Sequence, residues 1–147
     1  MKSLRHVLCA TDLTPASRPA LVTAITLAKS SRASLTIVHV LAPPVVVPEQ
    51  YLDSVGLDQL QKRARAWALK ELQKVSKRSS RSNVSTSVML REGRPADEIV
   101  RAGRTTKADL IVTGTHGHRG LKLALLGSVA QRVALLAPCP VVIVRGK

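Results

Sequence analysis

Two periodicities alternate along this chain. Short apolar runs recur as "HVLCAT" at 6–11, "SLTIVHVL" at 34–41, "NVSTSVML" at 83–90, "DLIVTGT" at 109–115 and "VVIVR" at 141–145. The first, fourth and fifth are near-continuous Val, Leu and Ile, the pattern of strands covered on both faces. "NVSTSVML" alternates instead, with Val84 and Val88 separated by Ser and Thr, which predicts an edge strand. Between the runs, apolar positions fall three or four apart. Leu21, Ala24, Ile25 and Ala28 form one stripe between Pro15 and Ser31, and Thr14 ahead of Pro15 reads as an N-cap with proline in the first turn. From about Asp53 to Ser76, Leu57, Leu60, Ala64, Ala68, Leu72 and Val75 recur at helical spacing, while Lys62, Arg63, Arg65 and Lys70 face outward. A third helix is expected to open at Pro95 with Asp97 and Glu98 in its first turn. A fourth should open near Ser128, burying Val129, Val133 and Leu136. Strand and helix in alternation imply parallel strands joined by right-handed crossovers, hence a doubly wound α/β domain. No second domain, internal repeat or low-complexity tract interrupts the pattern.

Composition narrows this picture. One Trp, one Tyr and no Phe in 147 residues mean that the core is built from aliphatic side chains. Twenty-three Lys and Arg against nine Asp and Glu give a net charge of +14, concentrated locally in "QKRARAWALK" and "KVSKRSSRSN". Such a field favours anionic partners, among them nucleotides, nucleic acid and anionic membrane surface; a general bias towards basic residues is as good a reading. Cys9 and Cys139 are too few for a disulfide scaffold or a cysteine metal site and read as small buried hydrophobes. The longest apolar run, "VALLAPCPVVIV", carries two prolines and is shorter than the ~20 residues that cross a bilayer. The N-terminal apolar stretch is too short for a signal peptide. The cytoplasm is the expected compartment, with no membrane involvement.

The chemistry concentrates in "GTHGHRGLKLALLGS", residues 114–128, which holds four glycines from the end of the fourth apolar run onward. It contains no G-x-x-x-x-G-K-[ST], and the first turn, "ATDLTPAS", has no glycine, so neither familiar phosphate loop is present. The elements of an anion site are nevertheless there. Gly114 and Gly117 allow a sharp turn that exposes backbone N–H groups. Gly127-Ser128 then opens a helix whose first amides are unpaired, and Arg119 and Lys122 add positive charge. Ser128-x-x-Gln131 also fits a capping box, which needs no ligand. If the fourth strand lies beside the first, Asp12 stands opposite Gly114 across the crevice. A carboxylate there suits a ribose hydroxyl or an adenine edge; a plain turn or cap residue is the competing reading.

The spacing Gly114-x2-Gly117-x9-Gly127-Ser128 resembles the ATP-binding signature of the universal stress protein family. "ADLIVTGTHG", "SVAQRVALLAPCPVVIVR", "HVLCATDLTPAS" and "LTIVHVL" are similar to its usual text, so the resemblance covers essentially the whole chain. It implies a Rossmann-like nucleotide-binding domain over 1–147, with a five-stranded parallel sheet in the order 3-2-1-4-5, commonly as a homodimer. It also implies that Thr11 and Asp12 lie by the adenosine and that Val40 offers backbone to the adenine. Gly114, Gly117, Gly127, Ser128 and the Val129 amide would surround ribose and phosphates. The ligand implied is ATP, ADP or AMP, with any Mg²⁺ carried in on the phosphates. The strong positive charge departs from what the resemblance would suggest.

His116 and His118 lack companions for a protein-built metal site. Only Asp12 is a carboxylate near the site, so a binding protein is expected and a dedicated ATPase is not; a slow ATP-hydrolysing switch is the alternative. Nucleic acid would satisfy the charge, but Trp67 and Tyr51 give no stacking platform. "APPVVVPEQ", 42–50, reads as a stiff connector or as a lid through which occupancy reaches an unknown protein partner. "VVIVR", 141–145, is an uncovered edge suited to pairing with a second copy.

Overall fold

The computed structural model describes residues 3–43, 54–115 and 126–146. Strands β1 (His6–Ala10), β2 (Ser34–Leu41), β3 (Thr86–Glu92), β4 (Leu110–Gly114) and β5 (Val141–Val144) form one parallel sheet in the order β3-β2-β1-β4-β5. The helices are α1 (Arg18–Ser31), α2 (Ser54–Ser80), α3 (Pro95–Thr105) and α4 (Ser128–Leu136). Strand side chains alternate between two cores, as a sheet covered on both sides requires. Val7, Cys9, Leu35, Ile37 and Val112 meet Ala20, Ala24 and Ala28 of α1 and Leu72 of α2. Leu8, Ala10, Val38 and Ile111 meet Ile99 and Ala102 of α3 and Val133 of α4. The alanine column on α1 lets that helix lie close to the sheet, and Leu21 and Ile25 flank it half-buried.

The α/β class, the strand order and the edge position of β3 agree with the expectations from sequence; several local expectations do not. Thr14 makes no capping bond. A short 3-10 turn, Pro15–Ser17, precedes α1, and the Thr14 hydroxyl turns back to Asp12. β3 begins at Thr86, because Asn83 takes a left-handed conformation (φ 60°) and Val84 is the buried lead-in to the strand. α2 runs on to Ser80, and its buried stripe is Ala68, Leu72 and Ser79. Leu60 and Ala64 lie exposed, because the N-terminal half of α2 extends beyond what the sheet covers. On α4, Ala130 and Val133 are buried, whereas Val129 and Leu136 are exposed. β5 is half-buried throughout, as befits an outer strand. Cys9 is fully buried, and burial pushes its thiol up to about 12; Cys139 is half-buried and also raised, chiefly by desolvation.

At the N-terminal end of the sheet, hydroxyls and a histidine link three strands. His6 meets Ser34 Oγ through Nδ1 (2.6 Å) and Thr36 Oγ1 through Nε2 (3.0 Å), and Thr36 meets Ser87 (2.9 Å). Asp109 accepts the backbone N–H groups of Arg5 (3.0 Å) and His6 (2.9 Å). Packing of α3 on α4 is tied by Arg132 Nε donating to Asp97 (2.9 Å). Glu98, almost fully buried, is met by Arg91 and Arg101 at 2.9 Å each.

Candidate functional site

β1 and β4 are neighbours, but the chain leaves them in opposite directions, to α1 on one face and to α4 on the other. Their carboxyl ends therefore part around a crevice, the place where open α/β sheets take ligands. A cavity of about 400 Å³ occupies it. The walls come from Ala10, Thr11 and Asp12 after β1, from Val38, His39 and Val40 of β2, from Thr113, Gly114 and Thr115 of β4, and from Gly127 to Ala130 at the start of α4. Pro95 and Ile99 of α3 close one side. A larger depression of about 590 Å³ lies around Val22, Ile25 and Lys29 of α1, with Ser82 beside it. It is more open, and no strand end, carboxylate or helix N-terminus contributes to it, so the convergent polar chemistry belongs to the crevice.

The turn after β1 is held by its own polar side chains. Thr11 N donates to Val38 O (2.9 Å), and His39 Nδ1 donates to Thr11 O (2.9 Å), an acceptor that fixes the proton of the neutral ring on Nδ1. Thr11 Oγ1 accepts from Leu13 N (3.0 Å). Ser17 spends its proton on Thr14 O (2.9 Å) and so accepts from Thr11 (2.8 Å). Leu13 is thereby kept in the left-handed region (φ 65°), a conformation costing a non-glycine residue about 1 kcal/mol or more. Asp12 uses one oxygen only: Oδ1 accepts from Thr14 N (2.8 Å) and from the Thr14 hydroxyl (2.6 Å). Asp12 Oδ2 is buried with no hydrogen-bond partner among the described residues. Buried acceptors are rarely left unmade, which makes this oxygen, on a residue that lines the cavity, the polar group to account for.

Backbone geometry supplies the second element. β1 pairs with β2 only from His6↔Ser34 to Ala10↔Val38, whereas β2 continues to Leu41 against β3. Val38 O accepts from Thr11 on the β1 side, and Leu41 O accepts from Gly93 N (3.0 Å) on the β3 side. Strand alternation then turns the N–H and C=O of Val40 towards the β1 side, past the point where β1 has ended. Among the described residues no strand pairs with the N–H and C=O of Val40 on that side, while its side chain packs towards α3 and α4.

The third element is the N-terminus of α4. Gly127 is its N-cap (φ −60°, ψ 152°), its N–H donates to Thr115 O (2.9 Å), and its carbonyl accepts from Gln131 N (3.0 Å). Ser128 is accordingly the first helical residue and no side-chain cap forms, so the capping box expected from Ser128 and Gln131 is absent. Ser128 and the Val129 amide stand at the open end of the helix, where unpaired N–H groups and the helix dipole favour an anion. Gly114 is the last residue of β4, not a turn glycine. A Cβ there would come no closer than 3.9 Å to Val144 O, so neither packing nor backbone conformation demands glycine. The φ of Gly127 is likewise open to any residue. What both positions share is a place on the cavity wall.

Thr11, Asp12, Val40, Gly114, Gly127, Ser128 and Val129 are therefore brought together around one cavity. Gly117, Arg119, Lys122, His116 and His118 lie outside the described residues, as do 44–50 of the suspected lid and Tyr51. Sequence reasoning missed His39, which lines the cavity and clamps Thr11; its partner is a main-chain carbonyl, and such a contact leaves no motif.

A doubly wound parallel sheet with a polar crevice at the reversal of strand order defines a Rossmann-like α/β domain. Residues 3–145 match the model of the universal stress protein family, and the chain belongs to that family. It is 33% identical over 144 residues to universal stress protein YxiE of Bacillus subtilis, covering 95% of this chain and 97% of the relative. Universal stress protein MJ0531 of Methanocaldococcus jannaschii is 37% identical over 143 residues, covering 96% and 82%. Among solved structures, universal stress protein UspA of Lactobacillus plantarum shares the fold with a TM-score of 0.84 at 24% identity, covering 99% and 100% of the two chains. A universal stress protein in complex with cAMP superposes with a TM-score of 0.73 at 25% identity, covering 98% of both chains. The fold is also that of a universal stress protein of Archaeoglobus fulgidus in complex with dAMP, with a TM-score of 0.64 at 19% identity and 100% coverage of both.

Proposed function

We propose that this protein binds ATP or a related adenine nucleotide, ADP or AMP, in the crevice and serves as a regulatory, non-catalytic stress-response protein of the cytoplasm. The observation that carries this reading is the buried Oδ2 of Asp12, without a partner among the described residues, on a cavity that the end of β2 at Val40 also lines. A carboxylate for a ribose hydroxyl, a strand edge for an adenine and a helix N-terminus for phosphate match the three parts of an adenine nucleotide. The cAMP and dAMP complexes of two relatives in fold support the same ligand class. Thr11, Asp12 and Val40 are assigned to the adenosine, and Gly114, Gly127, Ser128 and Val129 to ribose and phosphates. Gly117 and Arg119 join the phosphate end by the family signature, and Mg²⁺, where used, would arrive with the phosphates.

Binding without dedicated turnover is proposed because Asp12 already commits one oxygen to Thr14 and its other to the nucleoside end, leaving no carboxylate among the described lining residues to direct water at a γ-phosphate. We further propose a homodimer through β5. The strand is outermost and half-buried, and the adjoining α4 leaves Leu135 83% exposed.

The test begins with purified protein, denatured so that any retained nucleotide is released and identified. Calorimetric titration of ATP into stripped wild type and into Gly127→Val follows. Valine tolerates φ −60° and ψ 152°, so the variant should fold, yet its side chain would occupy the approach to the α4 amides. One site per chain in wild type, lost in a folded Gly127→Val, is the expected result. Wild type indifferent to ATP, ADP and AMP would defeat the proposal and turn attention to the basic surface and nucleic acid.

A further inference from the structure

The crevice makes no use of the most basic element in the molecule. α2 carries seven Lys or Arg against only Asp58 and Glu71. On the side of its N-terminal half turned from the sheet, Leu60 is 65% and Trp67 53% exposed, with Ala64 exposed between them. Positions 60, 64 and 67 lie on one helical stripe, and 63, 67, 70 and 74 follow the line beside it. An apolar stripe is thus bordered by Arg63, Lys70 and Lys74. Lys74 pairs with Glu71 (2.8 Å), whereas Arg63 and Lys70 form no ion pair among the described residues. A chain with a single Trp places it half in water, among cations.

We propose that this face of α2 is a peripheral docking surface for an anionic lipid bilayer, with Leu60 and Trp67 entering the headgroup boundary and Arg63 and Lys70 lying among the lipid phosphates. Charge complementarity identifies the partner as anionic, and the shape and apolar content identify it as lipid. A single convex helix offers no groove for a peptide helix. A polynucleotide would satisfy the cations but leave Leu60 without a counterpart, and one Trp is no stacking platform. A bilayer interface accepts an apolar stripe and its cationic border together. Among the described residues no helix is long and apolar enough to cross a membrane, so the contact is superficial. Nucleotide binding in the crevice plays no part in this surface.

Sedimentation with vesicles of phosphatidylcholine plus phosphatidylglycerol, and with phosphatidylcholine alone, tests the proposal on the full chain. Trp67 fluorescence reports the contact directly, since no second Trp contributes. Wild type is expected to sediment only with the anionic vesicles, with Trp67 emission shifting to the blue. Arg63→Gln with Lys70→Gln should weaken binding by about thirtyfold, from roughly 1 kcal/mol per cation at an anionic surface. Leu60→Ser should weaken it without changing its salt dependence. All three positions are exposed, and unchanged circular dichroism melting would confirm the fold. Failure to sediment, sedimentation with unshifted Trp67 emission, or wild-type binding by Leu60→Ser would each overturn the proposal. Quenching of Trp67 by single-stranded nucleic acid without any response to vesicles would also overturn it and assign the face to a polynucleotide.

Discussion

Replacing Asp12 by asparagine separates what the crevice does for ligand from what it does for the fold. The amide oxygen of asparagine can take the place of Oδ1 and keep the bonds from Thr14 N (2.8 Å) and Thr14 Oγ1 (2.6 Å), so the turn survives. The amide nitrogen then stands where Oδ2 was, a donor in place of an acceptor. A nucleotide hydroxyl that donated to the carboxylate loses a charge-assisted hydrogen bond of about 1.5–3 kcal/mol, which is roughly a ten- to hundredfold rise in Kd. The unliganded protein should respond in the opposite sense. Oδ2 is buried without a partner, and a neutral amide costs less to bury than a carboxylate oxygen. Because the residue as a whole is only half-buried, the gain is capped at about 1 kcal/mol, or some 2–4 °C in Tm for a domain of this size. Calorimetric titration of ATP and scanning calorimetry of the stripped protein measure the two effects. An Asp12→Asn variant that binds ATP like wild type, or that is clearly less stable than wild type without ligand, would refute the assignment of Asp12 Oδ2 to the nucleotide.

Two further outcomes follow from the same geometry. Stability should fall as the solution is acidified, in two stages. His6 is held below its ordinary value of 6.5, chiefly by burial, so the unfolded chain takes up the proton first and stability declines as pH drops below about 6.5, until the folded-state value is passed. Asp109, through the backbone N–H groups of Arg5 and His6, and Asp97, through Arg132, are held below the ordinary carboxylate range; their contribution is present above that range and lost on further acidification. Urea titrations across pH would show both stages, and His6→Gln should remove the first alone. For the dimer, Ile143→Pro is the informative change. Pro140 O and Val144 O accept from β4, so strand alternation turns the N–H of Ile143 to the outer edge, where proline removes it without touching the β4 ladder. Light scattering should find dimeric wild type and a monomeric variant; monomeric wild type would end the edge-pairing proposal.

Much of the architecture was legible in the alternation of apolar periods, because strand burial and helix stripes answer to the same sheet. The edge position of β3 followed from its Ser and Thr, and the opening of α3 from Pro95 with Asp97 and Glu98 behind it. The misjudged details share a cause, which is that local pattern does not say where tertiary cover stops. Leu60 and Ala64 satisfy the helical stripe of α2, yet both lie exposed. Ser128 and Gln131 satisfy a capping box, yet the helix starts one residue earlier because the carbonyl of Gly127 takes the Gln131 amide. Within the site, Asp12 and the flanking glycines could be singled out by residue type. His39 could not, since its role is a bond to the Thr11 carbonyl across two strands.

The unequal lengths of β1 and β2 carry a consequence for inheritance. If the ledge at Val40 reads a base edge, it does so with main-chain atoms, and its specificity is written in the number of residues before β1 gives out. Any apolar side chain of similar size that keeps β2 extended could stand at position 40 without changing which base is preferred. An insertion or deletion of one residue near Ala10 would change it at once, by covering the ledge or by moving Asp12 away from it. Recognition of this kind drifts slowly under substitution and is lost abruptly to a change in length.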